Sequence, residues 1–452
     1  MKEYTDQYID EIRDIISRHD EVAARAELEQ MHPADIAELY QDLDLEEAEF
    51  LYHLLDEDTR ADVLMELDEE DRRKLLSDMP AKEIATQVID HLDTDEAVDL
   101  IQELDEDDRD EILSHINDVE QAGDIIDLLK YDEDTAGGLM GTEMIVVNEN
   151  WSMPECIKQM RMQAEDMDEI YYVYVVDNED RLKGILPLKT LITHPSVSKI
   201  KHIMENEPVS VKTDTPIDDV ALDFEKYDLV AMPVVDSIGR LVGRITVDDV
   251  MDQVRESSER DYQLASGLSS DVDASDSILA QTKARIPWLL IGIVSGILAS
   301  LILTGFEAQL QAVTTLAIFI PIIGGTGGNV GVQASAIVVQ GLANGTLDIK
   351  EFAKQLWKEV RVGLLNATII SGVIFVYNLI MIPHDFAVTL SVAVSLFIVV
   401  MFATLLGTIV PLTLEKLKIN PALATGPFIQ ISNDIVGLVI YVFISTWFLS
   451  IF

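Results

Sequence analysis

The chain has 452 residues, room for about three domains of ordinary size, and it combines a formal net charge of −49 with 48% hydrophobic residues. After residue 282 eight Lys/Arg stand against seven Asp/Glu, so residues 1–282 carry −50. An acidic half of this kind repels nucleic acid and anionic lipid and suits cations, although solubility alone or halophilic adaptation would give the same composition. Cys156 is the one cysteine, which excludes an internal disulfide framework and points to a cytoplasmic setting for the acidic half. Residues 1–16 lack the apolar core of a signal peptide, so membrane insertion falls to the later apolar segments.

Residues 1–30 predict one polar amphipathic helix. From Leu43 a unit of 12 or 13 residues repeats, beginning at residues 43, 55, 67, 79, 92 and 104. Each unit opens on an apolar residue followed, in most copies, by Asp, a good N-cap, with Leu and Ile at helical spacing behind it. Helices this short do not stand alone, so the units are expected to stack into an all-α superhelix over residues 1–134. Most of their acids form its solvated outer face.

Gly137 and Gly138 mark a join, and residues 135–250 hold two copies of a mixed unit. VVDNEDRLKGILPLKTL from residue 175 aligns with VVDSIGRLVGRITVDDV from residue 234, an offset of 59. Each copy reads as strand, turn, strand, helix, with turns at Asp177–Asp180 and Asp236–Gly239 and an earlier helix around 154–163 or 216–224. This α+β unit resembles a tandem CBS pair, and such pairs often bind adenosine nucleotides. Thr246 and Asp249 match the Thr-x-x-Asp that holds a ribose, whereas the first copy has Pro187 and Thr190 there. The pair is therefore read first as structural and dimerising, with ATP as a second possibility.

Residues 251–267 predict a polar connecting helix, and 268–277 a flexible linker; residues 251–282 form one connecting segment ahead of the membrane domain, 283–452. Five apolar segments follow, near 287–306, 311–341, 357–382, 386–412 and 421–450, each long enough to span a bilayer. All eight basic residues (Lys283, Arg285, Lys350, Lys354, Lys358, Arg361, Lys416, Lys418) fall on one side if the N-terminus is inside. That positive-inside pattern places the acidic half in the cytoplasm and the C-terminus outside.

The second span carries Pro321 with Gly324, Gly325, Gly327 and Gly328, then Asn329 and Gln333, four apart on one helical face. Such a run signals either close small-residue helix packing or a broken helix beside a polar cavity. The fifth span has a break at Gly426-Pro427 and carries Asp434, an acid deep in an apolar span. A carboxylate there is costly and reads as an ion pathway, the alternative being a structural acid bonded to a neighbouring helix. No P-loop, nucleophile elbow or His-rich metal site is present, so an enzyme is not expected.

From end to end the chain resembles the MgtE family of magnesium channels. The resemblance rests on YYVYVVDNEDRLKG, PVVDSIGRLVGRITVDDV, GGTGGNVGVQ and NPALATGPF followed by NDIVGLVIY. It implies a plasma-membrane homodimer with a pore on its two-fold axis, lined by Asp434 and Asn329, that takes up Mg²⁺. It also implies a cytoplasmic Mg²⁺ sensor whose matching acids are Asp95 and Asp99 in the superhelix, Asp218, Asp228 and Asp248 in the CBS region, and Asp252, Glu256 and Glu259 in the connecting "plug" helix. Mg²⁺ bridging these acids would close the pore. The competing readings are a secondary carrier for divalent cations, Co²⁺ and Mn²⁺ included, and a membrane-tethered nucleotide or ion sensor without a pore.

Overall fold

The computed structural model describes residues 6–451 apart from 78, 165–166, 168–169, 271, 273–275, 308–312, 345, 348–351 and 382–384; Lys350, the 384–385 loop in part and the linker in part lie outside them. The chain divides into two compact units, Met1–Gln253 and Val254–Phe452.

The first unit opens with two helices, Asp6–Ser17 and Glu21–Leu28, in place of the single one expected. His19 between them sits at φ 51°, a left-handed conformation that ends the first helix. The repeats then form helices of seven to ten residues: Leu45–Tyr52, Glu57–Met65, Glu69–Leu76, Ala81–Gln87, Thr94–Glu103 and Glu106–Leu113. Asp44, Asp56 and Asp68 each cap their own helix, accepting from the N–H groups of Glu47, Thr59 and Asp71. Arginine closes the preceding turn, with Arg60, Arg72 and Arg109 donating to the carbonyls of Leu55, Leu67 and Leu104. These local bonds satisfy helix ends, while Leu, Ile and Val side chains fill a shared core.

Two small sheets follow. β1 (Ile145–Asn148) runs parallel to β2 (Tyr172–Val176), which pairs antiparallel with β3 (Leu182–Pro187), edged by β4 (Glu205–Asn206). β5 (Val211–Lys212), β6 (Ala231–Val235) and β7 (Leu241–Thr246) repeat the pattern. The two hairpin turns meet: Leu182 N–H donates to Gly239 O at 3.1 Å and Leu241 N–H to Asp180 O at 3.0 Å. Asp180 (φ 59°) and Gly239 (φ 86°), 59 residues apart, hold the same left-handed turn position. The first sheet has its own core, whereas β6 and β7 share the core of the helical array through Met232, Val234 and Ile245. That shared core fixes the second copy against the superhelix. A helix from Val247 to Ser266 starts directly from β7, four residues earlier than the expected 251.

In the second unit, five helices among the described residues are long and apolar enough to cross a membrane: Ile278–Gly305, Thr315–Ala343, Phe352–Met381, Phe386–Lys416 and Gly426–Ile451. The fourth is the central post, its buried residues facing the second, third and fifth. Small residues permit the close crossings. A Cβ on Gly407 would stand 2.3 Å from Gly331 O, and one on Gly363 would stand 3.0 Å from Thr404 Oγ1. Tyr441 Oη donates to Leu316 O at 2.8 Å and Ser391 Oγ to Ser445 Oγ at 2.9 Å, tying the fifth span to the second and the fourth. The second span is one helix through Pro321 and its glycines rather than a broken one. The Gly426-Pro427 break lies at the start of the fifth span, after a 3₁₀ turn at Pro421–Ala424.

Candidate functional site

The membrane site is built where the second and fifth spans cross. The glycines of the second span divide by face. Gly324 and Gly328 lie against Asp434, where an added Cβ would stand 3.2 and 3.9 Å from Oδ1. Gly331 receives Asn433, and Gly327 receives Val399 of the fourth span. Close packing therefore accounts for most of the run. Gly325 meets nothing within 4 Å, and Asn329 and Gln333 beyond it are exposed. An apolar span thus keeps a polar stripe that this chain's own helices leave uncovered. Asp434 is half-buried beside that span. Asn433, one residue earlier, points inward: it is 1% exposed and neither Nδ2 nor Oδ1 has a hydrogen-bond partner. Sequence reasoning missed Asn433, and its adjacency to Asp434 was the available signal. Glu359 is a second acid buried within a candidate span, 4% exposed, and its carboxylate accepts from Gln355 at 3.3 Å.

The first unit brings a second set of acids together. Helix Thr94–Glu103 points its N-terminus at the loop before β1. Thr94 N–H donates to Glu143 Oε1 at 3.0 Å, and Thr142 N–H donates to Thr94 Oγ1 at 2.9 Å. Oxygens of Asp93, Asp95 and Glu143 consequently lie within 4.8 Å of one another, close enough to share a metal ion. Gly141 makes the approach possible, because a Cβ there would stand 2.8 Å from Asp95 Oδ2 and 3.0 Å from Glu143 Oε2. Arg244 of β7 donates from Nη2 to Asp93 Oδ2 at 3.1 Å and from Nε to the Glu143 carbonyl. Burial pushes the Asp95 carboxyl well above its ordinary range, and the charges of Asp249, Glu143 and Asp93 push it further, against the pull of Arg244. Desolvation and Asp93 likewise raise Glu96 to about 7. Carboxylates held this close repel one another unless a cation or proton joins them.

Of the acids expected in a sensor, the structure places Asp95 in this cluster. Asp99 is exposed on the same helix, and Asp218, Asp228 and Asp248 are exposed elsewhere in the unit. Asp228 closes the helix Ile217–Tyr227 in a left-handed conformation. Asp252, Glu256 and Glu259 are exposed along the connecting helix. Asp93, Glu143 and Asp249 were not read as sensor acids; the tight Gly141-Thr142-Glu143 run beside Gly137 and Gly138 was the signal for a backbone drawn close to a site. Thr246 and Asp249 do meet, but each other: Thr246 is buried, and its N–H donates to Asp249 Oδ2 at 3.0 Å, joined by its hydroxyl. A hollow between the first CBS copy and β7 of the second is lined by Glu143, Tyr171, Tyr172, Tyr174 and Arg244.

A helical array and a CBS pair, followed along the chain by five candidate spans, define a multidomain membrane protein. A family profile described as a divalent cation transporter matches residues 320–444, the MgtE intracellular N domain matches 31–134, and CBS domains match 136–196 and 200–256. The magnesium transporter MgtE of Thermus thermophilus is 39% identical over 313 residues, 69% of each chain. That of Bacillus subtilis is 31% identical over 319 residues, 71% of this chain and 70% of its own. The crystal structure of the cytosolic domain of the Mg²⁺ channel MgtE in complex with ATP aligns at TM-score 0.51 and 34% identity, covering 54% of this chain and 98% of that one. The soluble part of a magnesium transporter aligns at TM-score 0.50 and 30% identity, covering 55% and 98%. The chain belongs to the MgtE family of magnesium transporters.

Proposed function

We propose that two copies of this chain form a channel that conducts Mg²⁺ into the cell, with one Asp434 from each copy facing the other across the two-fold axis. The observation that carries this reading is the half-buried Asp434, seated on Gly324 and Gly328 beside the uncovered Gly325, Asn329 and Gln333. Mg²⁺ prefers octahedral oxygen ligands and gives up water reluctantly. A symmetric pair of carboxylates can hold the hydrated ion through its waters, with Asn329 and backbone carbonyls in the outer shell. The exposed apolar surface of the first span, where Leu289, Ile293 and Leu301 are among the uncovered side chains, suits lipid or a second copy. The positive-inside pattern supports an N-terminus in the cytoplasm and a C-terminus outside.

Gating follows from the acids. At low internal Mg²⁺ the like charges of the cytoplasmic half repel and the pore opens; at high internal Mg²⁺ the ion bridges them and the pore closes. Asp93, Asp95 and Glu143 hold one such ion, with Asp249 alongside; Asp99, Asp218, Asp228, Asp248, Asp252, Glu256 and Glu259 are the remaining candidates. Two charges at about 4 Å and an effective dielectric of 20 repel by roughly 4 kcal/mol. Swinging a gate from 1:99 to 99:1 takes about 5.5 kcal/mol of differential binding, so a few clusters per dimer suffice. ATP in the CBS pair is a further expectation: a ribose at Thr246 and Asp249 would have to replace the bond these two make to each other.

Mg²⁺ uptake into proteoliposomes by Asp434→Ala and Asp434→Asn tests the pore. Loss of uptake in both supports it, and full uptake in both removes Asp434 from the pathway. Collapsing the proton gradient during the same assay separates a channel from a proton-coupled carrier, since channel flux follows the Mg²⁺ gradient alone. Patch recording while cytoplasmic Mg²⁺ is raised tests the sensor; an open probability indifferent to Mg²⁺ would exclude it.

A further inference from the structure

The acid cluster at the N-terminus of Thr94–Glu103 already contains a cation. Arg244 lies on β7 at the position that Ile185 holds on β3 of the first copy, 59 residues earlier, so this strand position does not require a charge. Its backbone pairs with Gly141, N–H to O at 2.9 Å in both directions, and this anchors it beside the cluster. Its side chain is 11% exposed. The guanidinium reaches two separate parts of the unit: Asp93 of the helical array through Nη2 at 3.1 Å, and the Glu143 carbonyl ahead of β1 through Nε.

The capping pattern of the repeats fits the same arrangement, although a missing cap bond is shared by Asp105 in the next repeat. Asp44, Asp56 and Asp68, at the matching place in earlier repeats, spend their carboxylates on capping their own helices. Asp93 makes no side-chain cap bond, and its carboxylate turns to Arg244 instead. A forked guanidinium is suited to this work, because it can address a carboxylate and a carbonyl together and never loses its charge at physiological pH.

We propose that Arg244 is a built-in counter-cation that fastens the helical array to the second CBS copy when no divalent ion is bound, and so sets how much of the docking depends on Mg²⁺. Four carboxylates crowd this place, and one guanidinium removes a single unit of their charge, leaving demand for one divalent ion rather than satisfying the cluster. The Mg²⁺ arm of this inference rests on the sensor reading above; the ion-free arm does not.

The test is amide hydrogen–deuterium exchange on the full chain in detergent micelles, in EDTA and in saturating Mg²⁺, for wild type, Arg244→Ile, Arg244→Lys and Asp93→Asn. The reporting peptides cover residues 93–104 and 141–147, whose Thr94 and Thr142 amides bond across the contact. A peptide over 231–235 in β6 reports whether the sheet itself is intact. In EDTA, Arg244→Ile and Asp93→Asn are expected to exchange about tenfold faster than wild type at the reporting peptides, the size expected for a lost charge-assisted hydrogen bond, with Arg244→Lys much closer to wild type. Wild-type exchange rates in both Arg244→Ile and Asp93→Asn in EDTA would overturn the proposal. If Arg244→Ile disturbs β6, Asp93→Asn, an exposed position, decides alone. Restoration by Mg²⁺ supports both the tether and the sensor. A difference in EDTA that Mg²⁺ leaves untouched in every variant supports the tether and removes the sensor reading.

Discussion

Replacing Gly331 by Ala puts the crossing of the second and fifth spans under direct test. The new methyl would stand 2.1 Å from Asn433 Nδ2 and 2.7 Å from Ile429 Cγ2. Neither neighbour has room to withdraw, since Ile429 is fully buried and Asn433 is 1% exposed. Overpacking of this kind costs about 1–3 kcal/mol, and alanine recovers up to about 1 kcal/mol through its helix propensity. With both neighbours enclosed the upper end applies, for a net loss of about 2 kcal/mol. Gly296→Ala on the first span is the control: nothing lies within 4 Å of its added Cβ, so it gains the propensity without the clash. Heat denaturation in detergent micelles, followed by size-exclusion fluorescence, should rank Gly296→Ala at or above wild type and Gly331→Ala clearly below. Mg²⁺ flux should fall with Gly331→Ala as well, because moving Asn433 moves Asp434 on the next residue. A Gly331→Ala protein that melts at the wild-type temperature and conducts normally would refute the close crossing.

If Asp93, Asp95 and Glu143 share an ion as proposed, Mg²⁺ should slow trypsin cleavage of residues 1–253 in wild type and do so less in Gly141→Ala, whose methyl would stand 2.8 Å from Asp95 Oδ2 in the space the carboxylates share; equal protection in wild type and variant counts against the cluster as an ion site. Gly267→Ala should lower the melting temperature by an amount equivalent to about 1–3 kcal/mol of backbone strain, because Gly267 sits at φ 87° and its Cβ would stand 2.5 Å from Pro427 Cγ. Tyr441→Phe should cost about 1 kcal/mol in the same melt, through loss of the buried bond to Leu316 O at 2.8 Å; an unchanged melt would mean that bond contributes nothing net.

Much of this architecture was legible along the chain, because its signals are local. A 12- or 13-residue period with Asp at each start specifies short capped helices; an offset of 59 specifies a duplicated α+β unit; five apolar stretches specify five spans. The acid in the fifth span was equally visible, since a carboxylate among apolar neighbours needs no alignment to be noticed. What the sequence left open was the meaning of the second span's glycines. A helix face and a broken helix give the same letters, and only the positions of Asp434, Asn433 and Val399 around the glycines distinguish them.

The acids of the first unit mark the boundary between what is local and what is tertiary. Spacing of four or seven residues says which acids share a helix face, and on that basis Asp95 and Asp99 pair, as do Asp252, Glu256 and Glu259. Tertiary structure chose differently for the first pair: Asp95 joins its near neighbour Asp93 and, 48 and 149 positions further along the chain, Glu143 and Arg244, while Asp99 lies on the exposed face of the same helix. The sequence by itself determined the membrane half, the acidic half and the repeating units within it, since burial of apolar side chains and capping of helix ends are decided within a few residues. The shared core of the helical array with β6 and β7 decided which acids confront one another and that an arginine stands among them, because the energy of a charge depends on what surrounds it in space.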